Sequence, residues 1–108
     1  MREFIHVTTT FGSKIDAENT ANAIIEKRLA ACIQIVGPIL STYWWKGKIE
    51  KSEEWLCFVK TSKDLYKDIE LLISKIHPYQ VPEILAMPII EGNKVYLSWL
   101  YDELKKSE

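Results

Sequence analysis

Leu65-Tyr66-Lys67-Asp68-Ile69-Glu70-Leu71-Leu72-Ile73-Ser74-Lys75-Ile76-His77-Pro78-Tyr79-Gln80-Val81-Pro82-Glu83 changes character after its twelfth residue. Leu65, Ile69, Leu72, Ile73 and Ile76 recur at helical spacing and make one apolar face. Proline then fixes its own φ and pushes the residue before it out of the helical region. His77 and Val81 are therefore extended, the helix closes at His77-Pro78, and a new element starts beyond Pro82. A seven-residue segment braced by two prolines also holds an imidazole, a phenol and a carboxylate in fixed positions, as a site requires.

Working outward, Glu83 to Ile90 reads as a strand, with Pro88 placing it at a sheet edge. Glu91-Gly92-Asn93 turns the chain into a last helix that carries Tyr96, Leu97, Trp99, Leu100 and Leu104. Upstream, Ser62 caps the helix over 65–76, and two long strands precede it. Ala30 to Tyr43 is the first of these, interrupted at Gly37-Pro38, and Ile49 to Thr61 is the second, joined through Trp45-Lys46-Gly47-Lys48. At the start, Phe4 to Thr10 is a β-branched run ending at Phe11-Gly12. Ser13 and Asp16 then open a helix with Ala17, Ala21, Ile24 and Ile25 on one face, ending near Arg28-Leu29. The order β-α-β-β-α-β plus a C-terminal helix predicts an α+β, ferredoxin-like fold: an antiparallel sheet with two helices on one face. At 108 residues the chain is one domain spanning 1–108.

The two central strands need about 12 to 14 residues each, against a usual length of about 5 to 6. Each reaches on the order of 40 Å, whereas a compact 100-residue domain has a radius of gyration near ~13 Å. The hairpin therefore projects past its own core and carries Tyr43, Trp44 and Trp45 at its tip. Either the hairpin bends back at Gly37-Pro38, or the tip packs against another copy. Four tryptophans and five tyrosines in so short a chain favour burial between subunits.

Composition excludes several classes. The net charge is -1 with mixed signs along the chain, which does not suit neutralisation of nucleic-acid phosphates. No apolar run approaches the roughly 20 residues of a membrane span. Met1-Arg2-Glu3-Phe4 lacks a signal-peptide pattern, so a cytoplasmic location is expected. Cys32 and Cys57 lie in apolar strand runs without a CxxC spacing and read as buried free thiols. No phosphate-binding glycine loop is present, and no organic cofactor is indicated.

Arg28-Leu29-Ala30-Ala31-Cys32, Tyr43-Trp44-Trp45-Lys46-Gly47-Lys48-Ile49-Glu50, Lys60-Thr61, His77-Pro78-Tyr79-Gln80-Val81-Pro82-Glu83 and Tyr96-Leu97-Ser98-Trp99-Leu100 stand in the order and spacing of the CutA1 divalent-cation-tolerance proteins. The chain resembles that family over nearly its whole length. The resemblance implies a homotrimer built like the PII signalling proteins, association with copper and other divalent cations, and a cytoplasmic location in prokaryotes; no enzymatic activity is expected. Some relatives place a cysteine near the end of the first strand and a second histidine beside the HPY motif as metal ligands. Here Thr8 or Thr9 and Ile76 occupy those positions, so only His77 carries over.

His77 and Glu83 are candidate nitrogen and oxygen ligands for a divalent ion, with Cys32 a further soft donor. Equally, His77 can cap the carbonyls of its helix while Glu83 pairs with a lysine. His6, between Ile5 and Val7, reads as a partly buried strand residue. A Cys32–His77 nucleophile–base pair is the enzyme alternative, without a recognisable oxyanion hole. If subunits meet as in PII proteins, Trp45, Lys60, Tyr79 and Glu83 line an intersubunit cleft for a small anionic metabolite, the alternative to metal tolerance.

Overall fold

The structure, a computed structural model, describes residues 2–106; Met1, Ser107 and Glu108 lie outside them. The elements run β1 (Phe4–Phe11), α1 (Lys14–Glu26), β2 (Cys32–Trp45), β3 (Lys48–Ser62), a single 3-10 turn (Lys63–Leu65), α2 (Tyr66–Ile76), β4 (Leu85–Ile89) and α3 (Lys94–Glu103). All strand pairs are antiparallel, in the order β2-β3-β1-β4, as a ferredoxin-like fold requires.

Local signals place most boundaries. The Ser13 hydroxyl accepts the Asp16 N–H at 3.1 Å and caps α1. α1 stops at Glu26, two residues before the expected end, because Arg28 turns left-handed at φ 56°. The Arg28 and Leu29 N–H groups then bond back to the carbonyls of Ile25 and Ile24, which satisfies the last turn. Ser62 does not cap α2; its hydroxyl bonds the Asp64 carboxylate, and the 3-10 turn intervenes before α2 begins at Tyr66. Asn93 caps α3 through the Tyr96 N–H.

β4 is shorter than the 83–90 run, because Glu83 and Ile84 precede its ladder with β1. It is an edge strand, and Pro88 stands in it opposite Ile5. His77 is extended at φ -69° and ψ 132°, which ends α2 where the proline rule puts it.

Alternation sorts the sheet into two faces. Ile5, Val7 and Val59 meet Ile24 of α1, Ile69 and Ile73 of α2, Leu100 of α3 and Leu104 just beyond it in the core. Phe11, Ala17 and Cys57 form a smaller cluster beside it. The opposite face carries His6, Thr8, Phe58, Lys60, Val36, Leu85 and Met87, and its last three apolar residues are exposed.

β1 pairs with β3 only from Trp55 to Ser62, so among the described strands residues 39–45 and 48–54 pair only with each other. This two-stranded ribbon runs about 23 Å beyond the sheet. It closes on Lys46-Gly47, both with positive φ, as a two-residue hairpin turn demands. The molecule is 44 Å long and only 21 Å thin. The ribbon does not fold back: Leu40, Trp44 and Ile49 are 70%, 72% and 61% exposed. The interruption at Gly37-Pro38 is a bulge, where two residues of β2 oppose Trp55 alone.

Candidate functional site

The braced segment 77–84 returns along the end of β1 before β4 begins to pair. β4 covers β1 only as far as Thr8, opposite Leu85. Beyond that point the carbonyl of Thr10 accepts the His77 Nε2–H at 2.7 Å, and the Tyr79 N–H donates to Nδ1 at 3.1 Å. A carbonyl on one nitrogen and an N–H on the other leave one tautomer, the neutral imidazole protonated at Nε2. His77 is buried, stacks on Phe11 at 4.2 Å and stands at 4.8 Å from the Tyr79 ring. Burial lowers its pKa below 6.5, against the opposing pull of the Thr10 bond and of Asp16 and Glu54.

Tyr79 extends the network. Its hydroxyl donates to Glu54 Oε2 at 2.7 Å, and Glu54 is only 6% exposed. Burial first, then the Glu54 bond and charge, pushes the phenol pKa well above its usual value of 10. A Cβ on Gly12 would stand 3.1 Å from the Tyr79 hydroxyl, so the β1–α1 turn also fits closely around this ring. Sequence reasoning did not single out Glu54, since it sits among the charged residues Glu50, Lys51 and Glu53. Only the register, which sets it opposite Ile39 at the root of the ribbon, brings it beneath Tyr79.

The expected metal donors are placed differently. Both ring nitrogens of His77 are engaged within the chain: Nε2–H donates to a strand carbonyl and the Nδ1 lone pair accepts from Tyr79, while the His77 backbone N–H closes α2 on the Ile73 carbonyl at 2.8 Å. Glu83 pairs with no lysine; it is exposed and accepts the Thr8 hydroxyl at 3.1 Å. His77 and Glu83 thus bond separate residues of β1. Thr9 is buried with its hydroxyl unpartnered, and Ile76 is half exposed. Cys32 is half-buried rather than buried, whereas Cys57 is buried and its thiol pKa is pushed up to about 11 by desolvation. Among the described residues no three His, Cys, Asp or Glu side chains gather to hold an ion. The described residues of a single chain therefore do not supply a complete donor set.

The other two constellations separate along the sheet. Cys32 pairs with Lys60 and so lies level with His6, four residues along β1 from Thr10, about 13 Å away. His77 bonds Thr10, so no Cys32–His77 pair forms. His6 is half-buried in β1, its ring 5.7 Å from Phe58. Trp45 pairs with Lys48, twelve residues along β3 from Lys60 and on the order of 40 Å from it. Within one chain Trp45 cannot share a cleft with Lys60, whose ammonium lies 5.7 Å from the Tyr96 ring centre.

Residues 5–103 match the family model for the CutA1 divalent ion tolerance protein. The chain belongs to the CutA1 family. It is 43% identical over 94 residues to the divalent-cation tolerance protein CutA of Thermus thermophilus, covering 87% of this chain and 91% of that one. The mouse protein CutA is 42% identical over 79% of this chain, but the match spans only 48% of the mouse protein's length. Among solved structures, the periplasmic divalent cation tolerance protein CutA of Archaeoglobus fulgidus superposes with a TM-score of 0.89 at 37% identity, over 97% of this chain and 100% of that one. The Thermus and Archaeoglobus relatives bear the names of tolerance proteins rather than enzymes. One of them is described as periplasmic, so membership of the CutA1 family does not fix a cytoplasmic location. No helix among the described residues is long and apolar enough to cross a membrane.

Proposed function

We propose that this chain acts as a cytoplasmic, non-enzymatic homotrimer that binds divalent cations such as copper weakly and contributes to divalent-cation tolerance. The observation that carries the assembly is the ribbon of residues 39–54, which leaves Leu40, Trp44 and Ile49 exposed beyond the sheet. Surfaces of that kind are covered by a partner in a stable protein, and a closed symmetric oligomer also shields the sheet edges. Apolar residues on the open sheet face, among them Leu85 and Met87, point the same way.

The cation is cargo on this reading. Glu83 offers an exposed carboxylate held by Thr8, and water or another copy supplies the remaining donors, which keeps affinity low. His77 keeps the segment in place. Sedimentation equilibrium tests the assembly: a trimer is expected, and a monomer at micromolar concentration would sink it. Calorimetric titration with copper and zinc tests the cargo. Glu83→Ala is expected to abolish weak binding without changing the trimer, and undiminished binding would remove Glu83.

A further inference from the structure

Glu54 is a buried carboxylate without a counter-charge. It is only 6% exposed, and among the described residues the one hydrogen bond to its carboxylate is from the Tyr79 hydroxyl. Among the described residues no Lys, Arg or His nitrogen comes within ion-pair distance, although Arg2, Arg28, Lys63, Lys67 and Lys105 all find acids elsewhere. The groups whose charges act with Glu54 on Tyr79 are Tyr43 and Asp16, and neither is a cation. Proteins pair the charges they bury.

The strand register shows what lies beside Glu54. The pairs Ile39–Glu54, Ser41–Ser52, Tyr43–Glu50 and Trp45–Lys48 share one face of the ribbon. The Tyr43 hydroxyl reaches Ser52 at 3.1 Å along it. A surface that covers Trp45 and Tyr43 and runs on along this face by about 13 Å reaches the rim of Glu54. An isolated ion is a poor fit there, since among the described residues no three His, Cys, Asp or Glu side chains gather to hold one. A protein surface carrying one lysine or arginine fits both the aromatics and the charge.

We propose that Glu54 is half of an intersubunit ion pair, its cation being a lysine or arginine side chain of a second copy of this chain. This rests on the homo-oligomer reading above and assigns to it a residue at the contact. Removing one member of a buried charge pair chiefly speeds dissociation.

The test is subunit exchange between ordinary and isotopically labelled protein, followed by native mass spectrometry. Glu54→Gln keeps the shape and can still accept from Tyr79, so only the charge changes. Exchange at least about tenfold faster than wild type is expected, with Tyr79→Phe, which retains the charge, close to wild type. Unchanged exchange in Glu54→Gln, or equal acceleration by both variants, would overturn the pair. If Glu54→Gln does not fold, carbodiimide coupling of mixed labelled wild-type trimers decides. An amide from Glu54 to a lysine of the differently labelled chain supports the proposal, and coupling only within one chain refutes it. A wild-type protein found to be monomeric would refute the oligomer itself, an outcome distinct from these.

Discussion

Tyr79 holds His77 and Glu54 in one network, giving its N–H to His77 Nδ1 at 3.1 Å and its O–H to Glu54 Oε2 at 2.7 Å. The first bond fixes the segment after α2; the second ties it to β3 at the root of the projecting ribbon. Protonation, packing and assembly therefore act on connected groups.

The His77 linkage predicts acid sensitivity. Burial lowers the folded pKa below 6.5, so the unfolded chain takes up its proton first as pH falls. The stabilisation from neutral His77 is complete above pH 6.5 and is lost as pH falls through the depressed folded value. Urea unfolding at fixed protein concentration should show wild type losing more stability than His77→Gln between pH 7 and pH 5. Parallel pH profiles would exclude His77 as the titrating group.

The two thiols should separate by reactivity. Cys57 is buried and its pKa stands near 11, so almost no thiolate forms at pH 8. Treatment of native protein with a thiol-reactive disulfide at that pH should leave Cys57 unlabelled until denaturant is added. Rapid labelling of Cys57 in the folded protein, located by peptide mapping, would contradict this packing.

Gly37 is required by its contact with Trp55. A Cβ there would lie 2.3 Å from Trp55 Cδ1 and 2.7 Å from Cγ, in the wall of a rigid indole. Gly37→Ala is expected to cost about 1 to 3 kcal/mol. Trp55→Ala should remove most of that penalty, and a double-mutant cycle measures the coupling. Additive effects would show that the indole is not the obstacle.

Trp45 is 38% exposed in the single chain and lies on the same ribbon face as Tyr43. As an anchor of the proposed trimer, Trp45 should on replacement by alanine weaken that assembly by roughly 2 kcal/mol or more. Sedimentation velocity at decreasing concentration reads this directly; an equally stable trimer would remove Trp45 from the contact.

Element order was legible because hydrophobic periodicity and proline punctuation are local. The helix over 66–76 and its stop at His77 follow from the spacing of Ile69, Leu72, Ile73 and Ile76 and from Pro78. The projecting hairpin followed from chain length alone, since two long strands cannot fit within a small domain. Boundaries that depend on nonlocal partners were less legible. The late start of β4 is set by Glu83 reaching Thr8, and the early end of α1 by Arg28.

By itself, then, the sequence determined the strand and helix order and the rigid His77–Glu83 segment, because those arise from neighbours within a few residues, and the length of its two central strands pointed to the overhang. Only the tertiary structure decided what the rigid segment touches. Its histidine is a neutral brace on Thr10 rather than an open ligand, and its tyrosine meets Glu54, 25 residues distant. Sequence spacing does not specify such a meeting; sheet register does, by placing Glu54 at the root of the ribbon where burial gives an unpaired charge its consequence.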